Sequence, residues 1–126
     1  MPPKTRAQRQ NRFWRHWVDP NGTPGSKSIM KTLTVIATFQ ARPGKEADLR
    51  AALTGLLAPT RKESGCLNYD LHQSPENPAK FLFHENWTSR AHLDAHLQTP
   101  HIKALLSRVD ELCVERPEIT TWERIN

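Results

Sequence analysis

Four of the chain's six histidines, His84, His92, His96 and His101, fall between positions 84 and 101, and Trp87 stands among them. Imidazole is the side chain whose ordinary pKa lets it take up and release protons near neutrality. Indole supplies a flat apolar surface with one polar handle. His92 and His96 lie one helical turn apart, a spacing that can hold a divalent metal. The segment lacks the glutamate of an HExxH motif, and no cysteine or carboxylate stands at a recognised companion spacing, so no metal is expected. The expected arrangement is one exposed histidine and one that packs and caps. Just upstream, Phe83, Glu85 and Trp87 alternate along an extended run, and the strand expected to pair with it offers His72 or Asn68. Facing the helices, these groups make an aromatic cavity with one carboxylate and one or two imidazoles. Such a cavity suits a flat aromatic ligand, stacked on Trp87 and Phe83, with His or Glu as proton acceptor. Plain core packing, with Glu85 reaching solvent or an arginine, is the competing arrangement, and composition does not choose between them. No Gly-rich phosphate loop and no GxSxG motif is present. Gly65-Cys66 has no local motif that would make the thiol a nucleophile, and a buried small hydrophobe is the better expectation.

The elements that must position these residues follow from periodicity. Residues 33–40, LTVIATFQ, predict a β-branched strand, with Leu33, Val35, Ala37 and Phe39 on one face and Ile36 between Thr34 and Thr38 on the other. A turn at Arg42-Pro43-Gly44-Lys45 leads to a helix over about 46–62. Its stripe is Leu49, Leu53, Leu56 and Leu57, with acids first, bases last and a kink at Pro59. Strands follow over 66–74 and 80–88, joined by the turn Pro75-Glu76-Asn77-Pro78 into an antiparallel hairpin. A helix over 89–97 ends at Thr99-Pro100. Thr99 caps the next helix, and Pro100 suits its first position because the missing N–H has no partner there anyway. That helix runs over about 100–113, and a last strand covers 118–124. The order β-α-β-β-α-α-β, with the last two helices counted as one broken helix, predicts an α+β fold of ferredoxin-like split βαβ type with an antiparallel sheet. Helices on one face leave the other sheet face to be covered. Leu67, Tyr69, Leu71 and Leu82 are its apolar candidates, which predicts a homodimer through that face.

With 126 residues, one domain is expected. No apolar run approaches the roughly 20 residues of a membrane helix, and no signal-peptide pattern is present, so no membrane role is expected. Cys66 and Cys113 are far apart and outside any CxxC spacing, which fits a reducing, cytoplasmic setting. The net charge of +5 is unevenly placed. Residues 1–30 hold Lys4, Arg6, Arg9, Arg12, Arg15 and Lys27 against Asp19 alone, whereas basic and acidic residues balance over 31–126. A neutral domain carries no electrostatic footprint for nucleic acid. Residues 1–29 are therefore expected to be a basic, poorly ordered extension, the alternative being an arm for an acidic surface, and 30–126 the folded domain.

The segments LTVIATFQARPGK, ESGCLNYDLHQS and FLFHENWTSRAHLDAHLQTPHIKAL resemble the antibiotic biosynthesis monooxygenase domain, and most of all its quinol-monooxygenase-type members. The resemblance covers about residues 30–125. Its most specific pieces are Gly65-Cys66, Glu85 with Trp87, and the run from Ala91 to His101. It implies a dimeric α/β barrel of two ferredoxin-like subunits, sheet against sheet. It also implies oxidation of a quinol or another small hydroxylated aromatic by O2 with no cofactor. In polyketide-oxidising relatives a pocket Trp and a strand His match Trp87 and His72, whereas their pocket Asn corresponds to Phe83. His96 and His101 match the family's helix histidines. The resemblance thus implies His72, His96 and Trp87 as catalytic candidates, with Phe83, Glu85, Asn68 and His101 around the substrate. Haem-degrading relatives use an Asn where Ile36 stands here, which disfavours haem. An isomerase or degradation enzyme for a phosphorylated signalling sugar, and a non-enzymatic stress-response dimer, are the alternatives on the same fold.

Overall fold

A computed structural model describes residues 32–126. The expectation for residues 1–29 lies outside them. In chain order the elements are β1 (Leu33–Gln40), α1 (Glu46–Thr54), α2 (Leu57–Arg61), β2 (Cys66–Gln73), β3 (Lys80–Trp87), α3 (Arg90–Leu97), α4 (Pro100–Leu106), α5 (Val109–Leu112) and β4 (Glu118–Trp122). The sheet order is β2-β3-β1-β4, every neighbouring pair antiparallel, as the ferredoxin-like fold requires.

Two helices expected to be continuous are broken. Pro59 has no N–H to give the carbonyl of Gly55, so α1 closes at Gly55 and α2 restarts at Leu57. Two Arg61 nitrogens donate to the Tyr69 carbonyl, at 2.9 and 3.1 Å, and tie α2 to β2. The last helix divides at Ser107-Arg108, where the Arg108 N–H bonds to Leu105, three residues back, and tightens the turn. The Thr99 cap is as expected: its hydroxyl accepts from the Ile102 N–H, with Pro100 in the first turn.

Val35, Ala37 and Phe39 of β1 and Phe81, Phe83, Glu85 and Trp87 of β3 are buried beneath the helices, with Leu49, Leu53, Leu93 and Leu112 above them. β2 departs from simple alternation. Cys66 pairs with Trp87, but Asn68 pairs with Asn86, so Leu67 is an extra residue in a β-bulge. One inserted residue exchanges the two faces for everything that follows it. Tyr69 and Leu71 therefore lie on the helix side, opposite Glu85 and Phe83, while Asn68, Asp70 and His72 take the open side. This corrects the expected apolar outer face. Tyr69 and Leu71 are not on it, and Leu67 protrudes at the bulge. Thr34, Thr38, Asn68, Asp70, His72, His84 and Asn86 make that face largely polar, and Ile36, Leu82 and Trp122 are its apolar members.

Candidate active site

The carboxyl of Glu85 lies on the helix-facing side of β3 and is 4% exposed. It accepts a hydrogen bond of 2.9 Å from the Trp87 indole N–H, two residues along the same strand face. Burial pushes its pKa up to about 8, the Trp87 bond pulls the other way, and the Glu63 charge adds to the rise. At neutral pH Glu85 is mostly a neutral acid, able to donate as well as accept. Tyr69 stacks on Phe83 at 4.4 Å, and burial, then the nearby Glu85, holds its phenol well above the ordinary value.

Over these rings sits His96, buried near the end of α3, 4.6 Å from the Trp87 ring and 5.5 Å from Tyr69. Its Nδ1 is 2.8 Å from Glu63 Oε2, and His101 Nε2 is 2.7 Å from that same oxygen. Glu63 is held by its own backbone in the turn between α2 and β2: its N–H bonds to Thr60, and its carbonyl accepts from Cys66. Burial would raise its pKa, but the bonds and charges of both histidines outweigh that and lower it. Glu63 is therefore ionised and only accepts, so both histidine nitrogens carry hydrogen. His96 itself is lowered by burial, partly offset by Glu63, and is neutral at pH 7. With its hydrogen on Nδ1, its Nε2 is left with a free lone pair.

Among the described residues, His96, Glu85 and Tyr69 bring polar groups to the wall of a cavity whose other side chains, such as Val35, Ala37, Phe39, Phe83, Leu93 and Ile102, are apolar. The space between atoms is about 390 Å³ with the mouth included, but the centre of a water-sized molecule can occupy only about 20 Å³ of it. That is room for one or two waters or a dioxygen molecule.

Of the expected site residues, the fold brings together Trp87, Phe83, Glu85, His96 and, through Glu63, His101. His72 and Asn68 are a correction. The bulge at Leu67 turns both to the opposite face, where His72 is exposed across from Leu82. Asn68 there accepts from the Asn86 amide and donates to Asp70 and the His84 carbonyl. His92 does not act with His96. Its Nδ1 is 2.8 Å from the hydroxyls of both Thr88 and Ser89, and its ring lies against Gly65, whose φ of +85° and missing Cβ make room for it. Cys66 and Cys113 are free thiols. Sequence reasoning gave Glu63 no role and put Tyr69 on the outer sheet face, so both were missed as residues of the site. A signal for Glu63 existed: it is an acid just past the C-terminus of a helix, where the dipole disfavours negative charge. Glu63, His96 and His101 are donors of the kind that hold zinc, but here each N···O separation is that of a hydrogen bond with a proton in it.

Residues 32–108 match the antibiotic biosynthesis monooxygenase family. The chain belongs to that family. Within it, the chain is 40% identical over 89 residues to Rv0793 of Mycobacterium tuberculosis, whose name proposes a monooxygenase; the match spans 71% of this chain and 86% of the relative. The structure of Rv0793 superposes with a TM-score of 0.71 over 75% of this chain and 96% of its own, at 34% identity. PA3566 of Pseudomonas aeruginosa, a crystal structure, gives 0.71 at 37% identity, over 78% and 98% of the two chains. YgiN of Escherichia coli, whose name proposes a quinol monooxygenase, is 40% identical over 84 residues, spanning 57% of this chain and 79% of YgiN.

Proposed function

We propose that the protein is a cofactor-independent monooxygenase that oxidises a small quinol or other hydroxylated aromatic with O2. The observation that carries this reading is the neutral His96, held at Nδ1 by Glu63 and lining an aromatic cavity beside Trp87 and Tyr69. The free Nε2 of His96 takes the substrate's phenolic proton. The phenolate then supplies the electrons for O2, which adds at a ring C–H carbon to give a hydroperoxide. Loss of water leaves a new C=O, so one oxygen atom enters the product and the other leaves as water. Glu85, a neutral acid at pH 7, is suited to donate a proton to the peroxide oxygen, and the dry walls protect the intermediate. A ring is larger than the present cavity, so its entry requires outward movement of side chains such as Leu97 and Ile102 on the helical wall.

A phosphorylated sugar is poorly served, because among the described residues no Lys or Arg lines the cavity. A homodimer through the open sheet face is part of the proposal, with Ile36, Leu82 and the 57%-exposed Trp122 as its apolar contacts; light scattering tests it. Cytoplasmic residence fits two free thiols and, among the described residues, no helix long and apolar enough to cross a membrane. The deciding experiment is oxygen uptake on a panel of quinols with a chelator present. Uptake that persists with chelator supports the reading, and uptake on no quinol, or uptake lost with chelator, removes it.

A further inference from the structure

We propose that Glu63 is a positioning residue shared between two histidines: it fixes His96 as the Nδ1–H tautomer, while His101, bound to the same oxygen, limits how strongly the carboxylate supports His96. This deepens the reading just given and rests on it for His96 being the base. The geometry is a fork. One carboxylate oxygen, Glu63 Oε2, receives both nitrogens, at 2.8 and 2.7 Å, from a turn and two different helices. The His96 and His101 rings are 6.1 Å apart and make no direct hydrogen bond to each other, so the carboxylate is their link. Exposure is graded along it: the side chain of His96 is 3% exposed, Glu63 14% and His101 22%. The inner histidine is thus sealed with the substrate space, and the outer one meets solvent.

A carboxylate bound to one imidazole N–H does two things. It makes the tautomer with hydrogen on that nitrogen the preferred one, and it stabilises the imidazolium that forms when the other nitrogen takes a proton. A second donor on the same oxygen draws off part of that stabilisation. The remaining groups around His96 are the Trp87 ring and the Glu85 carboxyl on β3 and Tyr69 on β2. Glu85 and Tyr69 are held neutral at pH 7, so Glu63 and His101 are the groups that set the balance. Consistent with this, Glu63 acts to raise the His96 pKa and His101 to lower it.

The test is a pH titration of the histidine ring nitrogens by NMR on the labelled full chain, in the wild type and in Glu63→Gln and His101→Ala, with kcat and KM followed alongside. The wild type is expected to show His96 as the Nδ1–H tautomer. Glu63→Gln keeps an acceptor but removes the charge, so the His96 midpoint should fall by about one pH unit. kcat should drop with it while KM changes little. His101→Ala should move the midpoint the other way. A merely structural role for Glu63 would not produce opposite shifts from two variants of one cluster. Shifts in the same direction, no shift, or an Nε2–H tautomer in the wild type overturn the inference, and the tautomer needs no variant to fold. The titration needs no substrate. The expected shifts without turnover on any quinol would discard the proposed reaction and leave the role of Glu63 standing.

Discussion

The two faces of the sheet handle polar groups in opposite ways. On the open face, Thr34 donates to Asn86, Asn86 to Asn68, and Asn68 to Asp70, a chain of neutral and charged partners near water. On the helix face the carboxyl of Glu85 and the imidazole of His96 sit in largely apolar surroundings, and each has a partner chosen from very few: the Trp87 indole for one, Glu63 for the other. A polar ladder at a surface exchanges water for protein and gains little. A carboxyl and an imidazole taken out of water lose solvation that one bond cannot restore, and their protonation shifts instead. Polar residues on a sheet are therefore informative about chemistry mainly on the side where they are costly.

The sharpest way to break this comparison is to remove the costly imidazole. His96→Ala should lower kcat by roughly two to four orders of magnitude, the usual worth of a positioned general base. The fold should persist, since Trp87, Tyr69 and Phe83 still fill the layer beneath. Near-wild-type oxygen uptake by His96→Ala would move the chemistry off the helix face altogether.

The next effect is on stability. Glu85 has a folded pKa of about 8 against an ordinary 4.5. A carboxyl raised on folding favours the native state while it is protonated. Its contribution is complete below pH 4.5 and is lost as pH climbs from there through 8. The loss amounts to at most roughly 5 kcal/mol once the native group is ionised. Urea unfolding between pH 6 and 9 should therefore show stability falling with pH in the wild type, and Glu85→Gln should flatten that slope. A wild-type curve that is level or rising across this window would mean the carboxyl is ionised in the fold.

Gly65 offers a smaller and purely steric test. At φ +85° a side chain costs about 1–2 kcal/mol of backbone strain. A Cβ here would also come within 2.2 Å of the His92 ring. Gly65→Ala should lower the thermal midpoint by several degrees. A companion Gly65→Ala, His92→Ala double variant should recover the steric part and not the backbone part. Full recovery would show that the turn itself is unstrained.

How far the sequence foretold this arrangement depends on how local each determinant is. β1 came out as residues 33–40 because alternation with β-branched residues is a property of the segment itself. The Thr99-Pro100 start of α4 was legible for the same reason, as was the shared face of Phe83, Glu85 and Trp87. The Leu67 bulge was not. Nothing in CLNYDLHQ marks one residue as extra, since the bulge exists only relative to β3, and it moved Asn68 and His72 out of the expected cavity while moving Tyr69 in. The Glu63 fork was invisible because it joins positions 63, 96 and 101 through the packing of a turn on two helices. The break between α1 and α2 stands between these cases: Pro59 announced a disturbance, and the loss fell one turn earlier, at the carbonyl the proline could not reach.

His72 is where the smallest effect decides the most. Simple alternation from Cys66 would place this histidine on the helix face, the face that carries Trp87, and would make it a candidate base. The bulge instead leaves it exposed across from Leu82. His72→Ala should then change stability by no more than about 0.5 kcal/mol, as for an exposed substitution away from any network, and leave kcat and its pH profile unchanged. Measured beside His96→Ala, it compares two histidines on opposite sides of one sheet. A drop in kcat of a hundredfold or more with the midpoint intact would mean that β2 runs without its bulge in the working enzyme, or that a second copy brings its own groups to the open face. Those two causes separate on deletion of Leu67. Losing the extra residue turns His72 to the helix face and Tyr69 to the open face. A dependence of kcat on His72 that comes from a bulge-free β2 therefore persists in the deletion variant, whereas one that comes from a second copy on the open face disappears.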